Sequence, residues 1–261
     1  MRLAVFGSPV AHSLSPVIHA AALAAVGIAG SYEAFEVDAA GMRAAVGDVR
    51  RGKLDGANVT MPHKRLACEL SDRLTSEAER AGAVNTLARV GGTVVGHNTD
   101  VAGVRSAWRD AGLEPEGPVL VLGAGGAAAA ALIALEGRPL TVSARRPSAA
   151  TRLVERIEVE AGIVPFGEAV EGVTVVNATP LGMGGETLPR AVLAACGGLF
   201  EMTYGATPTP AETAVAARGL PTCSGARMLL AQAAASFRIW TGVEAPLGEM
   251  ESAIGGLLPG W

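Results

Sequence analysis

Short apolar runs alternate with amphipathic segments along the whole chain, and this alternation predicts an α/β protein. In the N-terminal part, runs rich in β-branched and aromatic residues predict five strands, separated by segments with helical spacing. The last two strands flank Gly91-Gly92, a two-residue hairpin turn, so the first sheet must be mixed. The predicted strands are residues 3–6, 32–37, 56–60, 85–90 and 93–96, and the predicted helices are 16–26, 41–50 and 71–81.

A second series of strands and helices begins near Asp100, which predicts a second α/β unit after the first. Its apolar runs are bounded by turn residues and favour a largely parallel sheet. The two final helices could pack on either unit. The predicted strands are 119–122, 140–143, 173–177, 199–202 and 221–223, and the predicted helices are 101–111, 127–135, 226–240 and 247–257.

A glycine-rich turn joins the strand over residues 119–122 to the helix that follows it. Its sequence, Gly123-Ala124-Gly125-Gly126-Ala127-Ala128, matches the G-x-G-x-x-A pattern of dinucleotide-binding folds. One glycine of that pattern forms the tight turn, and another lets the backbone approach a pyrophosphate, which the helix N-terminus binds. A generic glycine-rich turn is the alternative, but the flanking strand and helix favour a dinucleotide.

The end of the next predicted strand indicates which dinucleotide binds. An NAD site usually carries a carboxylate there, which binds the ribose 2′-hydroxyl. This chain instead has Arg145 and Arg146, whose guanidinium groups suit a 2′-phosphate. A solvated arginine pair is the alternative interpretation. The predicted cofactor is NADP(H).

Four polar clusters follow predicted strands or begin predicted helices, where open α/β sheets bind ligands. Their side chains are mostly neutral donors and acceptors, with one ammonium and one carboxylate, which suits a small polyhydroxylated acid. Each has a structural alternative, because serine and aspartate cap helices and asparagine closes turns; Gln232, in the last long helix, could be solvated. The clusters are Ser13-Leu14-Ser15-Pro16, Asn58-Val59-Thr60 with Lys64, Ala83-Val84-Asn85-Thr86, and Asn98-Thr99-Asp100.

Lysine is rare in this chain, where Lys53 and Lys64 are the only two among 21 lysines and arginines. Arginine stays protonated in proteins, whereas the lysine amine can release and regain a proton. Lys64 ends the polar segment that begins at Asn58, so it is the candidate acid or base. Lys53 lies in a polar stretch and is predicted to be a surface residue.

Composition excludes several classes of function. The net charge of −4 provides no basic stripe for nucleic acid. The three cysteines are far apart, which predicts free thiols in a cytoplasmic protein. The N-terminal apolar run is too short for a signal peptide, and glycines interrupt the uncharged stretch 117–135, so no membrane span is predicted. The four histidines lack metal-ligand spacing, so no metal is predicted.

The chain resembles the shikimate dehydrogenases of aromatic amino acid biosynthesis. The matching motifs span nearly the whole chain in family order, which is more specific than any single motif. They are Gly7 through His12 to Pro16, Asn58 through Lys64, Gly82 through Thr86, Gly96 through Asp100, Gly123 through Ala127, Asn177-Ala178-Thr179, Gly182-Met183, and Gly225 through Met228-Leu229 to Gln232.

The resemblance implies a role for each matching position. Lys64 and Asp100 would be the catalytic pair. The substrate-binding residues would be Ser13, Ser15, Thr60, Lys64, Asn85, Asp100, Tyr204 and Gln232, with the two serines on the carboxylate. The cofactor-binding residues would be Gly123, Ala124, Gly125, Gly126, Ala127, Arg145, Arg146, Thr179, Met202 and Gly225.

The resemblance also implies a domain plan and an activity. An N-terminal α/β substrate domain with a mixed sheet would cover residues 1–101, completed by C-terminal helices over 232–261. A Rossmann-type doubly wound dinucleotide-binding domain would cover 102–231. We expect reversible NADPH-dependent reduction of 3-dehydroshikimate to shikimate by a monomer or homodimer. The alternatives are an NAD-using quinate/shikimate dehydrogenase and a non-catalytic NADP(H)-binding sensor.

Overall fold

The computed structural model describes residues 1–114, 116–255 and 257, and within them the chain forms two compact units. The first unit comprises Met1–Thr99 and a C-terminal segment that begins at Gln232, and the second comprises Asp100–Ala231. The prediction placed helices of the first domain as far as residue 261, and residues 256 and 258–261 lie outside the described ranges. The assignment of a substrate domain and a cofactor domain to these two segments stays a prediction.

The N-terminal part of the chain alternates strands and helices up to residue 97. It contains β1 (Arg2–Gly7), α1 (Ser15–Ala25), β2 (Ser31–Glu36), α2 (Ala39–Arg50), β3 (Gly56–Val59), α3 (Lys64–Leu70), β4 (Arg73–Leu74), α4 (Ser76–Ala81), β5 (Thr86–Val90) and β6 (Thr93–His97).

These strands form one mixed sheet in the order β2-β1-β3-β5-β6-β4. The pairs β2–β1 and β1–β3 are parallel, whereas β5 runs antiparallel to both β3 and β6. The predicted hairpin is confirmed, because Gly91 and Gly92 have φ of 57° and 85°, as a type I′ turn requires. Val46, Ala57 and Leu87 are fully or almost fully buried between this sheet and its helices.

The middle of the chain forms the second unit. Its elements are α5 (Thr99–Asp110), β7 (Val119–Leu122), α6 (Gly126–Ala134), β8 (Leu140–Ala144), α7 (Pro147–Ile157), β9 (Gly162–Pro165), β10 (Thr174–Asn177), α8 (Arg190–Ala195), β11 (Gly198–Glu201), α9 (Pro210–Ala216) and β12 (Thr222–Cys223). The chain continues with α10 (Gly225–Thr241) and α11 (Leu247–Gly255).

The second sheet is entirely parallel, in the order β12-β11-β10-β7-β8-β9. Read from the other edge, this is the doubly wound Rossmann order, in which the winding reverses between the first and fourth strands. Here those strands are β7 and β10. Every residue of both strands is buried, as expected for a parallel sheet covered by helices on both faces. The predicted fold class is therefore confirmed.

An aromatic cluster attaches α10 to the sheet of the first unit. The His19 ring stacks on Tyr32 with centroids 4.6 Å apart and lies 5.2 Å from the Trp240 ring and 6.4 Å from the Phe237 ring. The Trp240 indole N–H donates to the Leu87 carbonyl oxygen over 2.9 Å. In the same unit, α11 packs against α1.

Several short elements differ from the sequence prediction. The predicted helix 71–81 is wrong over its first residues, where β4 pairs with β6 before α4 begins at Ser76. The unpredicted elements α3, α7, α8, α9 and β9 are four helices of 6 to 11 residues and an edge strand of four. The edge strand has no fully buried residue, which explains its weak apolar signal.

Candidate functional site

A hydrogen-bonded polar network occupies the interior of the first unit, at the ends of β3 and β6. The Asn85 side chain is its centre: its Nδ2 donates to Thr99 Oγ1 over 2.9 Å, and its Oδ1 accepts from the Thr99 backbone N–H over 2.7 Å. Asn85 is only 3% exposed. Its amide is therefore held by the first residue of α5 and does not close a turn.

Asn58 and Ser236 form a second layer around that centre. Asn58 Nδ2 donates to Thr86 Oγ1 over 3.0 Å and to Ser236 Oγ over 3.1 Å. Asn58 Oδ1 accepts from the Tyr32 hydroxyl over 2.6 Å, and Ser236 Oγ lies 3.0 Å from Thr99 Oγ1. Asn58 thus connects β2, β3, β5 and α10 and likewise does not close a turn.

Lys64 is positioned by the same part of the fold. It is the first residue of α3, and its carbonyl oxygen accepts from the Val84 N–H over 2.9 Å, next to Asn85 in the chain. Thr60 follows β3, and its N–H donates to the Phe6 carbonyl oxygen over 2.9 Å. Two neighbouring strand ends and one helix N-terminus therefore carry Thr60, Lys64 and Asn85.

Ser13, Ser15 and Gln232 also belong to the first unit. Ser15 is buried and is the first residue of α1, whereas Leu14 occupies the N-cap, so the alternative of Ser15 as a cap is wrong. The Ser13 hydroxyl accepts from the Ser15 N–H over 3.3 Å. Gln232 is 9% exposed, so it is not solvated, and its Oε1 lies 3.5 Å from Thr99 Oγ1. Asp100, the first residue of the second unit, is buried in the first turn of α5.

The glycine turn of the second unit follows β7, at the reversal of the winding. Gly123 has φ of 115°, and a Cβ there would lie 2.8 Å from the carbonyl oxygen of Ala178, which follows β10. Gly125 is the N-cap of α6 without a side-chain cap, and a Cβ there would meet no atom within 4 Å. The turn therefore leaves open space beside helix N–H groups that need acceptors, which fits a pyrophosphate.

Arg145 and Arg146 lie one strand away from the glycine turn. The Gly123 N–H donates to the Ser143 carbonyl oxygen over 2.9 Å, and the two arginines follow β8 directly. Both are exposed, and neither guanidinium is hydrogen-bonded or ion-paired to any of the residues that the structure describes. Their charge at this edge of the sheet fits a 2′-phosphate on the ribose of a dinucleotide.

Three further predicted cofactor residues follow the remaining strands of the same sheet. Thr179 comes after β10, Met202 follows β11 directly, and Gly225 begins α10 after β12. A Cβ on Gly225 would overlap the Thr203 carbonyl group, so the start of α10 is in close contact with the segment that carries Met202 and Tyr204. The structure thus places these positions at the carboxyl-terminal ends of the strands of the parallel sheet.

Comparison with known proteins identifies the family. The profile of the shikimate dehydrogenase substrate binding domain matches residues 5–87, and that of the shikimate 5′-dehydrogenase C-terminal domain matches residues 225–254. A shikimate dehydrogenase (NADP(+)) of Thermus thermophilus is 39% identical over 97% of both chains. The chain belongs to the shikimate dehydrogenase family.

Solved structures of shikimate dehydrogenases have the same fold. A Thermus thermophilus enzyme in complex with NADP(H) and shikimate matches with a TM-score of 0.91 at 38% identity, over 99% of this chain and 100% of that one. The Mycobacterium tuberculosis enzyme matches with a TM-score of 0.86 at 35% identity, over 98% of this chain and 99% of that one. The predicted family and the predicted oxidoreductase class are confirmed.

Two other features of the described residues bear on function. In the described ranges, no helix is both long and apolar enough to cross a bilayer. The same residues contain no cluster of three or more histidine, cysteine, aspartate or glutamate side chains placed to hold a metal ion.

Sequence reasoning missed several members of the polar networks around the site. The sequence motifs single out none of Ser236, Tyr32 and Glu201. A serine in an alanine-rich helix and a glutamate ending an apolar strand are weak signals, because both types are common on surfaces. Only the fold shows that Ser236 and Glu201 are completely buried.

Proposed function

We propose that the protein catalyses the reversible reduction of 3-dehydroshikimate to shikimate with NADPH. The observation that carries this proposal is the likeness to the Thermus thermophilus enzyme in complex with NADP(H) and shikimate, over 99% of the chain. Membership of the shikimate dehydrogenase family places the activity in aromatic amino acid biosynthesis. NADP(H) is the cofactor, in agreement with the name of the relative and with the arginines after β8.

The polar network of the first unit supports a hydroxylated substrate. Thr60, Asn85 and Gln232 offer hydroxyl and amide groups for the ring hydroxyls, and Ser13 and Ser15 offer hydroxyl groups for the carboxylate. Because Asn85 is already held by Thr99, its orientation is set before a ligand arrives, which lowers the entropic cost of binding.

The proposed catalytic residues are Lys64 and Asp100. Bound NADPH supplies the hydride that the carbon of the keto group accepts. Lys64 donates a proton to the oxygen as it becomes an alkoxide, and in the reverse direction its neutral amine accepts that proton. Asp100 accepts a hydrogen bond from the substrate hydroxyl and orients the amine. Arginine cannot replace Lys64, because a guanidinium does not release its proton in proteins.

Replacement of Lys64 tests the acid–base assignment. Lys64→Ala should lower kcat about 10²–10⁴-fold, the usual contribution of a general acid or base, while NADP⁺ still binds. Lys53→Ala is the matched control, because Lys53 is largely exposed, with its Nζ 3.4 Å from Asp48 Oδ1, and should leave kcat unchanged. Shikimate-dependent NADP⁺ reduction measures both, with quinate and NAD⁺ testing the alternative specificity. A Lys64→Ala enzyme within about tenfold of wild type would contradict the assignment.

Replacement of Arg145 tests the cofactor assignment. Arg145→Ala should raise the KM for NADPH about tenfold or more, the effect of losing a charge-assisted hydrogen bond, and should leave the KM for NADH nearly unchanged. Arg146→Ala, measured in parallel, shows which of the adjacent guanidiniums binds the 2′-phosphate. An equal rise of both KM values in Arg145→Ala would mean that this residue does not distinguish the two cofactors.

A further inference from the structure

The carboxylate of Glu201 is completely buried at the end of β11, directly before the predicted cofactor residue Met202. Oε1 accepts from the backbone N–H groups of Met202 and Thr203, each over 3.0 Å, and from the Thr203 hydroxyl over 2.9 Å. A single carboxylate oxygen therefore fixes the first two residues after the strand.

Glu201 also holds the segment that follows the neighbouring strand β10. Asn177 Nδ2 lies 2.8 Å from Glu201 Oε1 and 3.0 Å from Oε2. With its other atom, Oδ1, Asn177 accepts from the Thr179 N–H over 3.1 Å and from the Thr179 hydroxyl over 2.7 Å. One carboxylate thus connects, through one amide, two segments that carry predicted cofactor residues.

The segment that follows β10 lies against the glycine turn. A Cβ on Gly123 would lie 2.8 Å from the Ala178 carbonyl oxygen, one residue after Asn177. Displacement of residues 178–179 would therefore alter the space beside the turn where the pyrophosphate is expected. Glu201 thus contacts the segments after β10 and β11, and the segment after β10 lies against the turn that follows β7.

We propose that Glu201 is a positioning residue for NADP(H), which orders the segments after β10 and β11 as a single unit. The inference rests on the proposed function, since it assigns the cofactor to this edge of the sheet. Glu201 does not touch the cofactor in this proposal. It acts through Asn177 and through the backbone of Met202 and Thr203.

The chemistry of the partners explains why a carboxylate fits this position better than its amide. Every hydrogen-bond partner of Glu201 among the described residues is a donor, and a carboxylate accepts only, with about four lone-pair sites. Burial raises the pKa of Glu201 to about 7, and hydrogen bonds from Thr203 and Asn177 oppose that rise. An amide of the same shape would place an NH₂ group at one of the two oxygen positions, and because both lie within 3.0 Å of Asn177 Nδ2, at least one bond would be lost.

The test compares Glu201→Gln with Glu212→Gln by direct titration of the protein with NADP⁺. Glu212 is the control for the loss of a buried carboxylate: it lies in the same unit and accepts from the Thr209 N–H, and its link to Glu201 is Thr209, whose hydroxyl donates to Glu201 Oε2 over 3.3 Å. A glutamine at this position of a capping box keeps the bond from Thr209, so Glu212→Gln leaves that link in place. Glu201→Gln should raise the Kd for NADP⁺ about tenfold or more, because it disrupts hydrogen bonds to a charged group. The KM for shikimate at saturating NADP⁺ should change much less, and Glu212→Gln should bind NADP⁺ like wild type.

A second variant keeps the test decisive if Glu201→Gln does not fold cooperatively. Thr203→Val has nearly the same shape and removes only the hydroxyl donor to Oε1, so it should weaken NADP⁺ binding in the same direction by a smaller factor. NADP⁺ binding by both variants within about twofold of Glu212→Gln, well below the effect of one lost hydrogen bond, would overturn the proposal. If the wild-type protein itself failed to bind NADP⁺, the proposed function would fail first.

Discussion

His19 lies at the centre of the aromatic cluster, completely buried, with neither ring nitrogen hydrogen-bonded to a described residue. Burial lowers its pKa from 6.5 to about 3, because nothing in its surroundings replaces the hydration of the imidazolium. Below pH 6.5 the unfolded chain therefore binds a proton at this position that the folded chain does not. The contribution of neutral His19 to stability is complete above the unfolded pKa and is lost as the pH falls toward the folded one.

We predict that acid weakens the protein through this single side chain. Between about pH 6.5 and pH 5, His19 alone should lower the free energy of unfolding by about 2 kcal/mol. His19→Phe keeps a ring in the stack without a titrating group. Between the two pH values its free energy of unfolding should therefore fall by about 2 kcal/mol less than that of wild type. Urea unfolding at the two pH values measures how much the free energy of unfolding changes with pH. The control is His12→Phe, because His12 is exposed. An equal change in the free energy of unfolding in His19→Phe and in wild type would show that His19 does not cause this pH dependence.

Among single residues, the sequence identified several polar residues of the network but not the side chains that hydrogen-bond to them. Asn58, Lys64 and Asn85 belong to short polar segments beside apolar strands, so their residue types alone pointed to a site. Ser236 could not be found in this way, because it is 178 residues from Asn58 and only the folded chain brings their side chains within 3.1 Å.

Among the elements, α10 begins under an unusual steric constraint. An added methyl group on Gly225 would overlap the Thr203 carbonyl group. We predict that Gly225→Ala displaces the segment with Met202 and Tyr204, raises the Kd for NADP⁺ and lowers stability by about 1–3 kcal/mol, as overpacking usually does. Titration with NADP⁺ and thermal unfolding measure the two effects.

Gly248 provides the matched control for that prediction. It lies in α11, where an added Cβ meets no atom within 4 Å. Gly248 is exposed and is the second residue of the helix, so Gly248→Ala should change stability by no more than about 0.5 kcal/mol and leave NADP⁺ binding unchanged. If Gly225→Ala bound NADP⁺ as tightly as Gly248→Ala, the close contact with Thr203 would have no role in the cofactor site.

Strands and helices were predicted correctly where the residues of the segment themselves form a clear pattern. The strand β7 was predicted to the residue, because four apolar side chains precede a glycine turn. The helix α3 was not predicted, since seven residues are too few for a stable helix in isolation and its formation depends on packing. The two-residue strand β4 likewise exists only through its pairing with β6.

For the whole molecule, the alternation of strands and helices predicted the fold class, and the reversal of strand order could be expected from the glycine motif. Chain order alone could not assign the last helices to a unit, because an amphipathic helix of ordinary length can cover either sheet. The structure makes that assignment with Trp240, which donates to Leu87 and lies so close to Gly56 that no side chain fits there.

The position of residues 232–241 of α10 in the first unit also governs the order in which the protein can be completed during synthesis. Domains generally fold from the N-terminus as they leave the ribosome. Here Asn58, Thr86 and Thr99 emerge early, but their common partner Ser236 emerges only after the whole of Asp100–Ala231. The unit that is translated first therefore completes its interior last, because its core lacks Ser236 until the strands of the second sheet have been synthesised.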